Sequence, residues 1–545
     1  MRAMGDKARG FWIGVTAGAF AIFLSYLLRI LFSGLFVPEL AAQTLFSITP
    51  GEIESRAVET LGAFAKYSAL IGAIFVNLAL YGALGALLQG LRSRLASRGY
   101  VAKALGFSLV AYLILLVASV TLSEVTEITT QSISIQLAAL YLFPAQLVFG
   151  FALTYLCDVE FPVPIADREG THATAPRIDY RRRLLIRAAA AGAVACIILF
   201  YGLDLFFPLS QQTPTSEVVK PPAETEGVFA NLMLASFAAS EVTANDRFYR
   251  VDVNVSPPAV DVDSWKLSVH GLVNNPLMLS YAELKSMQPV NQYNTLECVS
   301  NEIGGDLISN ALWKGVRLKD LLEKAQVRSG AVYVVFGCAD GYDVGIPLER
   351  ALLDGTILVH EMNGVPLPQE HGYPLRAIVP GLYGMMNAKW VTEIQVVDKV
   401  HEGFWQRRGW SNNAQYHTHS TIVIPGDSPV RKRLVELGAS KVWAGHIAPI
   451  AGIAFAGDRG ILKVEVSTDG GKTWETASVK DPLSGYTWVF WATEWNPPTT
   501  GEYKIMVRAT DKAGNVQTAS LQNPFPSGAT GYHIVDITVE TTVTH

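Results

Sequence analysis

One cysteine stands where its side chain could bind a metal. Cys298 follows a short strand-like segment and precedes a Gly-rich turn, within the stretch 296–305, Leu-Glu-Cys-Val-Ser-Asn-Glu-Ile-Gly-Gly. A cysteine thiolate is a soft ligand, suited to a soft and redox-active metal ion. A cysteine at the end of a strand is more often a small buried hydrophobic residue. The metal-binding interpretation therefore depends on the rest of the sequence.

The elements that would position Cys298 belong to a mixed α/β region over residues 245–400. Apolar residues predict strands at 265–269 and 333–336. Apolar spacing with charged residues between predicts a helix at 318–325. The pattern is that of an α+β domain.

From about residue 430 to the end, the pattern becomes all-β. Segments 462–467 and 473–478 flank the turn Thr-Asp-Gly-Gly, which indicates a hairpin. Residues 502–509 alternate cleanly and are followed by another turn. Several short strands at close spacing predict an immunoglobulin-like sandwich.

The N-terminal part of the chain is far more apolar than the rest. The chain as a whole is 50% hydrophobic and 17% charged, and the apolar excess lies before residue 208. It falls in runs that are each close to the roughly 20 residues needed to cross a bilayer as a helix. We therefore predict a bundle of five transmembrane spans, at residues 11–36, 67–91, 104–122, 133–156 and 184–207.

The basic residues predict the orientation of these spans. They are concentrated before the first span and at 92–103 and 168–183, whereas the other connections carry glutamates. Because basic segments stay on the cytoplasmic side, five crossings leave the C-terminal part outside the cytoplasmic membrane. The stretch 180–187, Tyr-Arg-Arg-Arg-Leu-Leu-Ile-Arg, also resembles an internal twin-arginine export signal. An ordinary membrane anchor explains these arginines equally well.

Charge, cysteine and histidine content exclude several classes of function. The formal net charge is −5 and no basic stripe suggests nucleic acid as a partner. Only Cys298 and Cys338 lie in the C-terminal part, which rules out a disulfide framework but leaves a single pairing open. No histidine precedes His172 and no Cys-x-x-Cys-His motif occurs, so we expect no haem. Electrons would then pass through a separate partner, a cytochrome or a quinone-linked protein.

Five sequence blocks, in this order and at these spacings, resemble the sulfite oxidase family of molybdopterin-dependent oxidoreductases. The resemblance implies a molybdopterin domain followed by an immunoglobulin-like domain that often mediates dimers, so a homodimer is expected. It also implies one molybdenum-molybdopterin cofactor, with a single pyranopterin, per chain. With the predicted spans, the protein would be a membrane-anchored bacterial type of this family. The matching blocks are residues 296–301, 311–322, 361–368, 371–376 and 379–390.

The same resemblance implies the residues of the site. Cys298 would ligate molybdenum, and His371, Arg376 and Lys389 would hold the pterin phosphate. Arginine offers bidentate hydrogen bonds to such a group, and lysine offers a point charge. Tyr342, with Arg250, would shape the metal pocket as a catalytic residue. The remaining implied cofactor contacts are Tyr249, Arg250, Asp340, Asn387 and Ala388.

The chain departs from the family pattern where substrate would bind. Sulfite oxidases place an arginine five residues after the metal-binding cysteine, where this chain has Ile303, and another near the C-terminus, where it has Ile534. The stretch between Cys298 and Trp313 also looks short. A dianion without paired cations would be poorly bound, because burying an unpaired charge costs several kcal/mol. We therefore predict that sulfite is not the best substrate.

Together these observations predict a multidomain, membrane-anchored enzyme that transfers an oxygen atom to or from a small substrate on the extracytoplasmic side. Three alternatives stay open: a reductase of sulfoxides such as methionine sulfoxide, a sulfite oxidase proper, and a cofactor-free surface binding module. The predicted division of the chain is a transmembrane domain at 1–208, a linker at 209–240, a catalytic domain at 241–428 and an immunoglobulin-like domain at 429–545.

Overall fold

The chain forms two compact units in a computed structural model. The first unit falls within residues 1–49, 61–210 and 253–256, and the second within residues 50–60, 211–252 and 257–545. The residues that the structure describes are 6–32, 34–61, 64–91, 99–125, 135–160, 186, 188–198, 227–230, 234, 237, 240–254, 256–426, 428–434 and 442–541.

Long apolar helices make up the first unit. Their central residues are almost all hydrophobic, and many of these side chains remain exposed, which is typical of helices that face lipid. Residues 50–60, which include nearly all of α3, belong to the second unit. The helices before residue 161 are α1 (Asp6–Phe32), α2 (Val37–Ile48), α3 (Gly51–Leu61), α4 (Phe64–Leu91), α5 (Tyr100–Val125) and α6 (Ile135–Glu160).

Four of the described helices are long and apolar enough to cross a membrane, as judged by length and composition. They correspond to the first four predicted spans. Half of the fifth predicted span, 184–207, lies outside the described residues, which show the shorter apolar helix Ala188–Ile198 there. Most of the basic residues used to predict orientation also lie outside the described residues, so orientation and the fifth crossing stay predictions. The four helical segments are Asp6–Phe32, Tyr67–Gln89, Tyr100–Leu122 and Ala139–Asp158.

An ion pair joins the end of α1 to the start of α2. Arg29 Nε donates to Glu39 Oε2 over 2.8 Å, and the Glu39 side chain is almost entirely buried. A carboxylate in such surroundings is costly unless a cation compensates it. Arg29, a charged residue within the first predicted span, is therefore explained by its partner in α2.

Two sheets form the framework of the middle region, residues 241–397. One has the strand order β2-β1-β10-β5-β6, and the other has the order β3-β4-β7-β8, with β9 also paired to β7. β1 runs parallel to β10, and the other pairs are antiparallel. The strands are β1 (Lys266–Gly271), β2 (Leu277–Ser280), β3 (Val290–Glu297), β4 (Ile308–Arg317), β5 (Tyr333–Cys338), β6 (Asp343–Pro347), β7 (Ile357–Met362), β8 (Val365–Pro366), β9 (Arg376–Ile378) and β10 (Val391–Val397).

Short helices connect these strands. The helix predicted at 318–325 is confirmed with the same bounds, because its residues at positions i, i+3, i+4 and i+7 are all buried against the strands. It ends at Gln326, which adopts a left-handed backbone conformation with φ of 56°. The predicted strands at 265–269 and 333–336 correspond to β1 and β5. The short helices of this region are Tyr281–Lys285, Leu318–Ala325 and Leu348–Ala351.

Two further sheets form the C-terminal region, and their facing sides share one apolar core that includes Trp491 of one sheet and Val507 of the other. One has the order β11-β13-β17-β16, and the other β12-β19-β18-β14-β15. A β-rich two-sheet region is thus confirmed, whereas its immunoglobulin-like character stays a prediction. The strands are β11 (His419–Ile424), β12 (Val442–Trp443), β13 (Ala448–Phe455), β14 (Ile461–Ser467), β15 (Glu475–Thr476), β16 (Ser478–Val479), β17 (Val489–Trp495), β18 (Gly501–Asp511) and β19 (His533–Glu540), with a helix at Pro429–Leu434.

Two details bear on the sequence predictions for this region. The hairpin is confirmed, since β14 and β15 pair antiparallel with Glu465 opposite Thr476. Its turn contains Gly470 and Gly471 with φ of 74° and 91°, which glycine adopts without steric cost. Strand β11 precedes the predicted boundary at residue 429, yet it pairs with β13 of the C-terminal region.

Asp511, at the end of β18, carries a pH-dependent part of the stability. Its fully buried carboxylate accepts hydrogen bonds from Arg459 Nε at 2.7 Å and Thr418 Oγ1 at 2.8 Å. Burial alone would raise the pKa of Asp511, but these bonds and that from Asn515 lower the pKa to about 2. Because this pKa lies below the unfolded value near 3.9, the carboxylate stabilises the fold above about pH 4. We expect this contribution, roughly 2 kcal/mol, to be lost as the pH falls from about 4 towards 2.

Thermal unfolding followed by tryptophan fluorescence checks this. Asp511→Asn should lower the melting temperature near neutral pH and reduce its dependence on pH below about 4. Asp536→Asn is the matched control, because Asp536 pairs with Lys504 but its side chain is 72% exposed. Equal behaviour of the two variants would contradict the role given to Asp511.

Candidate cofactor site

Cys298 is a buried thiol at the end of β3. It is 8% exposed, and its backbone N–H donates to Leu307 O over 2.9 Å, which holds the turn after the strand. Its Sγ lies 3.0 Å from Ser300 Oγ. Burial raises the pKa of the Cys298 thiol, and the Ser300 hydroxyl only partly opposes this. A thiolate here needs a cation, such as a metal ion, to stabilise it.

A buried polar network supports this turn from behind. Glu297 accepts a hydrogen bond from Asn301 Nδ2 over 2.9 Å, and its other oxygen lies 3.0 Å from His419 Nε2. Burial would lower the pKa of His419, but the charge and hydrogen bond of Glu297 outweigh it and raise that pKa. Sequence spacing alone favours a polar loop for His417-Thr418-His419 over a metal-binding pair. The structure places His419 at the start of β11, where it pairs with Glu297. In the sequence, the sign of this pairing is the position of Glu297 directly before Cys298.

His371, Arg376 and Lys389 converge around Gly372. His371 ends the short turn Gln369–His371, Arg376 begins β9, and Lys389 precedes β10. Gly372 has φ of 114°, and a Cβ added to it would lie 3.1 Å from the Cβ of Lys389 and 3.2 Å from that of Arg376. A side chain here would crowd both residues, and the φ of 114° is a conformation that glycine adopts readily. The three predicted phosphate-binding residues are thus brought together.

Arg376 is a buried cation without an acidic partner among the described residues. It is 6% exposed, and its Nε has no hydrogen-bond partner there. One Nη donates to His371 O over 3.2 Å, and the guanidinium lies 5.3 Å from the Trp313 ring centroid. Burial lowers the pKa of Arg376 to about 10, so it remains charged at neutral pH. An uncompensated buried charge is costly, which indicates that this position is built for an anion.

His371 and Lys389 differ from Arg376 in charge state and pairing. Burial lowers the pKa of His371 to about 3, so its ring is neutral near pH 7. Its Nε2 lies 2.9 Å from the Asn245 carbonyl, which can only accept, so Nε2 carries the proton. Lys389 pairs with Asp252, which also accepts from Arg250 Nε over 2.6 Å. Asp252 was not foreseen from the sequence; its single carboxylate pairs with both Lys389 and Arg250 and leaves one net positive charge.

Tyr342 and Asp340 lie together in the turn between β5 and β6. The backbone N–H of Tyr342 donates to Asp340 Oδ1 over 3.1 Å, and its hydroxyl donates to Met385 O over 2.6 Å. Burial raises the pKa of Tyr342 well above its usual value, so the phenol stays protonated. The hydroxyl oxygen still has lone pairs with which to accept a hydrogen bond.

The remaining predicted contacts divide into one aromatic side chain and two backbone positions. Tyr249 stacks on Phe248 with ring centroids 5.5 Å apart and shares an apolar cluster with Cys298. Asn387 Oδ1 accepts from Val379 N over 2.7 Å, and its Nδ2 donates to Leu382 O and Tyr383 O. Because its amide is committed to this loop, Asn387, like the buried Ala388, has only its backbone to offer a cofactor.

The residues present fit a molybdenum-pterin cofactor. Arg376 supplies a buried cation without an acidic partner among the described residues, Gly372 lets Arg376 and Lys389 lie close together, and Cys298 supplies a soft ligand. Over the part of the chain that the structure describes, no group of three or more His, Cys, Asp or Glu side chains could hold a metal by itself. A metal bound by Cys298 would therefore take its other ligands from a cofactor, as the dithiolene sulfurs of a pterin provide.

A neutral histidine lies near the two positions, Ile303 and Ile534, at which the family arginines are missing. Gly304, next to Ile303, contacts the ring of His533, which precedes Ile534. Burial lowers the pKa of His533 to about 4, and its Nδ1 accepts from Ile422 N over 3.0 Å. This histidine is therefore neutral near pH 7 and does not replace the arginines missing at Ile303 and Ile534.

Comparison with known proteins yields two family matches and several relatives. Residues 254–405 match the oxidoreductase molybdopterin binding domain, and residues 411–540 match the Mo-co oxidoreductase dimerisation domain. The uncharacterized oxidoreductase YuiH of Bacillus subtilis (strain 168) is 38% identical over 150 residues, which cover 28% of this chain and 74% of YuiH.

Similarity extends to longer proteins and to a solved structure. Mitochondrial sulfite oxidase of Macaca fascicularis is 30% identical over 312 residues, which cover 51% of this chain and 57% of that protein. The chain thus spans little more than half the length of this relative. The crystal structure of the sulfane dehydrogenase SoxCD from Paracoccus pantotrophus aligns with a TM-score of 0.42 and 25% identity, covering 49% of this chain and 72% of that one.

Proposed function

Because this chain belongs to the sulfite oxidase family of molybdopterin-dependent oxidoreductases, we propose that it is a membrane-anchored enzyme that transfers an oxygen atom to or from a small substrate. The bound molybdenum-pterin group supplies two-electron oxygen-atom transfer at the metal. The observation that carries the proposal is the buried Arg376, whose Nε has no partner among the described residues, beside His371 and Lys389.

The side chains take distinct roles in this proposal. Cys298 holds the metal, and the network of Glu297, Asn301 and His419 fixes the turn that presents its thiolate. Arg376 binds the phosphate end of the pterin by charge. The neutral ring of His371, which is held by the Asn245 carbonyl, orients the phosphate.

Other residues of the site complete the cofactor contacts and the pocket. Lys389 and Arg250 are both held in place by the single carboxylate of Asp252, so together they contribute a fixed orientation and one net positive charge. Asp340 and the backbone of Asn387 and Ala388 line the pterin. Tyr249 and Tyr342 border the pocket on the side of Cys298.

The preferred substrate is a neutral oxygen-bearing molecule, with a sulfoxide such as methionine sulfoxide as the leading class. Ile303 and Ile534 remove two of the fixed cations that a sulfite dianion requires, and the buried His533 is neutral near pH 7. Sulfite oxidation is therefore a weaker candidate. Either direction of oxygen transfer is compatible with the site.

The remaining features follow from the membrane part and the C-terminal region. The enzyme would lie in the cytoplasmic membrane with its catalytic part on the extracytoplasmic side, where a separate cytochrome or quinone-linked protein exchanges electrons with it. The match to a dimerisation domain at 411–540 supports a homodimer. We propose that the chain divides into a transmembrane domain at 1–208, a linker at 209–240, a catalytic domain at 241–428 and a C-terminal domain at 429–545. Strand β11 belongs with the C-terminal domain, because it pairs with β13.

Elemental analysis of the purified protein tests the proposal first. Protein extracted from membranes of a molybdate-supplied host should contain about one molybdenum and one fluorescent pterin per chain. The same sample is then screened with sulfoxides, N-oxides and sulfite. Folded and correctly exported protein that contains neither metal nor pterin would favour the surface binding module instead.

A further inference from the structure

Strand β19 has one face towards the inside of the C-terminal region and one face towards its outer surface. His533 of this strand lies opposite Val507 of β18, and Ile534 lies opposite Met506. Directly opposite residues of an antiparallel pair share a face, and successive residues of a strand alternate between faces. Val507 is fully buried, whereas Ile534 is 43% exposed. The strand therefore directs His533 inwards and Ile534 outwards.

The inward side chain of His533 lies against the turn that carries Cys298. It contacts Gly304, because a Cβ added to Gly304 would overlap His533 Nε2. Cys298 and Gly304 belong to one compact turn, residues 298–307, whose ends are joined by a 2.9 Å hydrogen bond from Cys298 N–H to Leu307 O. Strand β19 thus brings one polar ring, that of His533, to the turn of the proposed metal ligand.

Hydrogen bonding fixes the position of the proton on the His533 ring. Its Nδ1 lies 3.0 Å from the backbone N–H of Ile422, which can only donate, so Nδ1 accepts and carries no proton. The proton of the neutral ring is therefore on Nε2, the atom beside Gly304. Burial, which lowers the pKa of His533 to about 4, keeps the ring neutral near pH 7. The side chain is a neutral donor whose direction is fixed by β11.

The Nε2–H of His533 has no hydrogen-bond acceptor among the described residues, where the ring bonds through Nδ1. The side chain is half-buried, and Nε2 itself is not closed off from solvent. Polar groups inside proteins are nearly always paired, so a donor that the fold orients without giving it an acceptor is available to a bound molecule. The neighbouring side chain on the turn, Ile303, is apolar and brings no charge to this position.

We infer that His533 is a specificity-determining residue: through Nε2–H it donates a hydrogen bond to the oxygen of a neutral substrate at the turn 298–307. A neutral donor suits the oxygen of a sulfoxide, which needs no counter-charge. It does not offset the negative charge of sulfite, which requires fixed cations. The inference rests on the proposed function and assigns one residue to the recognition of that substrate class.

Kinetics of the full-length protein, normalised to its measured molybdenum and pterin content, provide the first test. His533→Ala removes the donor and should raise the KM for dimethyl sulfoxide about five- to tenfold, while kcat changes little. His533→Gln keeps an amide N–H, so its KM should stay within about twofold of wild type. A KM of His533→Ala equal to that of wild type would overturn the inference.

An arginine placed at each of two adjacent positions tests which side chain reaches the site. His533→Arg puts a cation at the turn and should lower the inhibition constant of sulfate against dimethyl sulfoxide about tenfold or more. Ile534→Arg adds the same charge on the outer face of the sheet, so that constant should stay within about twofold of wild type. Equal effects of the two substitutions would contradict the inward role of His533.

Alkylation of Cys298 in cofactor-free full-length protein gives a readout that does not depend on catalysis. Mass spectrometry compares the rates with neutral iodoacetamide and anionic iodoacetate, and their ratio cancels differences in thiol reactivity. His533→Arg should shift the ratio towards iodoacetate about twofold or more, and Ile534→Arg should not. Wild-type protein without molybdenum would overturn the proposed function, whereas an unchanged ratio in His533→Arg would overturn the place of His533 beside the site.

Discussion

Replacement of Cys298 by serine is expected to abolish oxygen-atom transfer while the fold remains intact. The hydroxyl of serine is a harder and less acidic ligand than a thiol, so it does not replace the thiolate at a soft metal. Loss of an outer-shell partner of a metal typically costs roughly 10- to 100-fold in affinity or activity, and loss of a direct ligand should cost more. Turnover with an artificial electron donor and a sulfoxide, normalised to pterin content, measures the effect.

Cys338→Ser is the matched control for this change. Cys338 is the other thiol of the C-terminal part of the chain, it lies in β5, and burial raises its pKa well above the ordinary value. It is not a proposed ligand, and serine keeps the backbone N–H that donates to Tyr342 O over 3.0 Å, so activity per bound pterin should persist in this variant. Full activity of Cys298→Ser with the metal still bound would contradict the assignment of Cys298 as the ligand.

Replacement of Arg376 by methionine is expected to yield protein that folds but carries little cofactor. Arg376 is the one predicted phosphate-binding cation that is buried with no carboxylate partner among the described residues. Charge-assisted hydrogen bonds contribute about 1.5–3 kcal/mol each, so loss of one weakens pterin binding by roughly 10- to 150-fold. Because methionine removes an uncompensated charge, the cofactor-free variant should be at least as stable as cofactor-free wild type. Pterin fluorescence and molybdenum content per chain, with melting temperatures, measure both effects.

Two further variants test whether the loss of cofactor is specific to Arg376. Arg328→Met changes an exposed arginine of the same region and should keep full pterin content. Lys389→Met should have a double effect, because it also leaves the buried Asp252 with Arg250 as its one ion-pair partner among the described residues. We therefore expect Lys389→Met to destabilise the fold as well as lower pterin content. Normal pterin content in Arg376→Met would show that Arg376 does not bind the phosphate.

The features that the sequence predicted well are those encoded locally or in the order of motifs. Long apolar runs predict helices because every residue of such a helix contributes to its hydropathy, and four of them are confirmed. The helix at 318–325 follows from its apolar spacing, and the hairpin at 467–475 from its two glycines. The family follows from the order and spacing of five blocks, which no single block would establish.

Only the tertiary structure decided which charges in the site are compensated. The pairing of Glu297 with His419 and of Asp252 with Lys389 joins residues more than 100 positions apart. No local pattern encodes such contacts. From the sequence alone, His371, Arg376 and Lys389 are therefore predicted to be three equivalent phosphate-binding groups. Burial makes His371 neutral, Asp252 compensates Lys389, and only Arg376 is left as a buried charge without an acidic partner among the described residues.

The position of α3 is the second feature that tertiary structure alone decided. By hydropathy, residues 50–60 are simply a polar connection between two apolar runs. Gly51 lets this segment pack against Arg408 and Trp410, and residues 50–60 therefore belong to the second unit. The amino-acid sequence by itself thus determined the class of cofactor chemistry and the apolar helices. Folding determined which polar groups surround Cys298, because burial and long-range pairing set their charge.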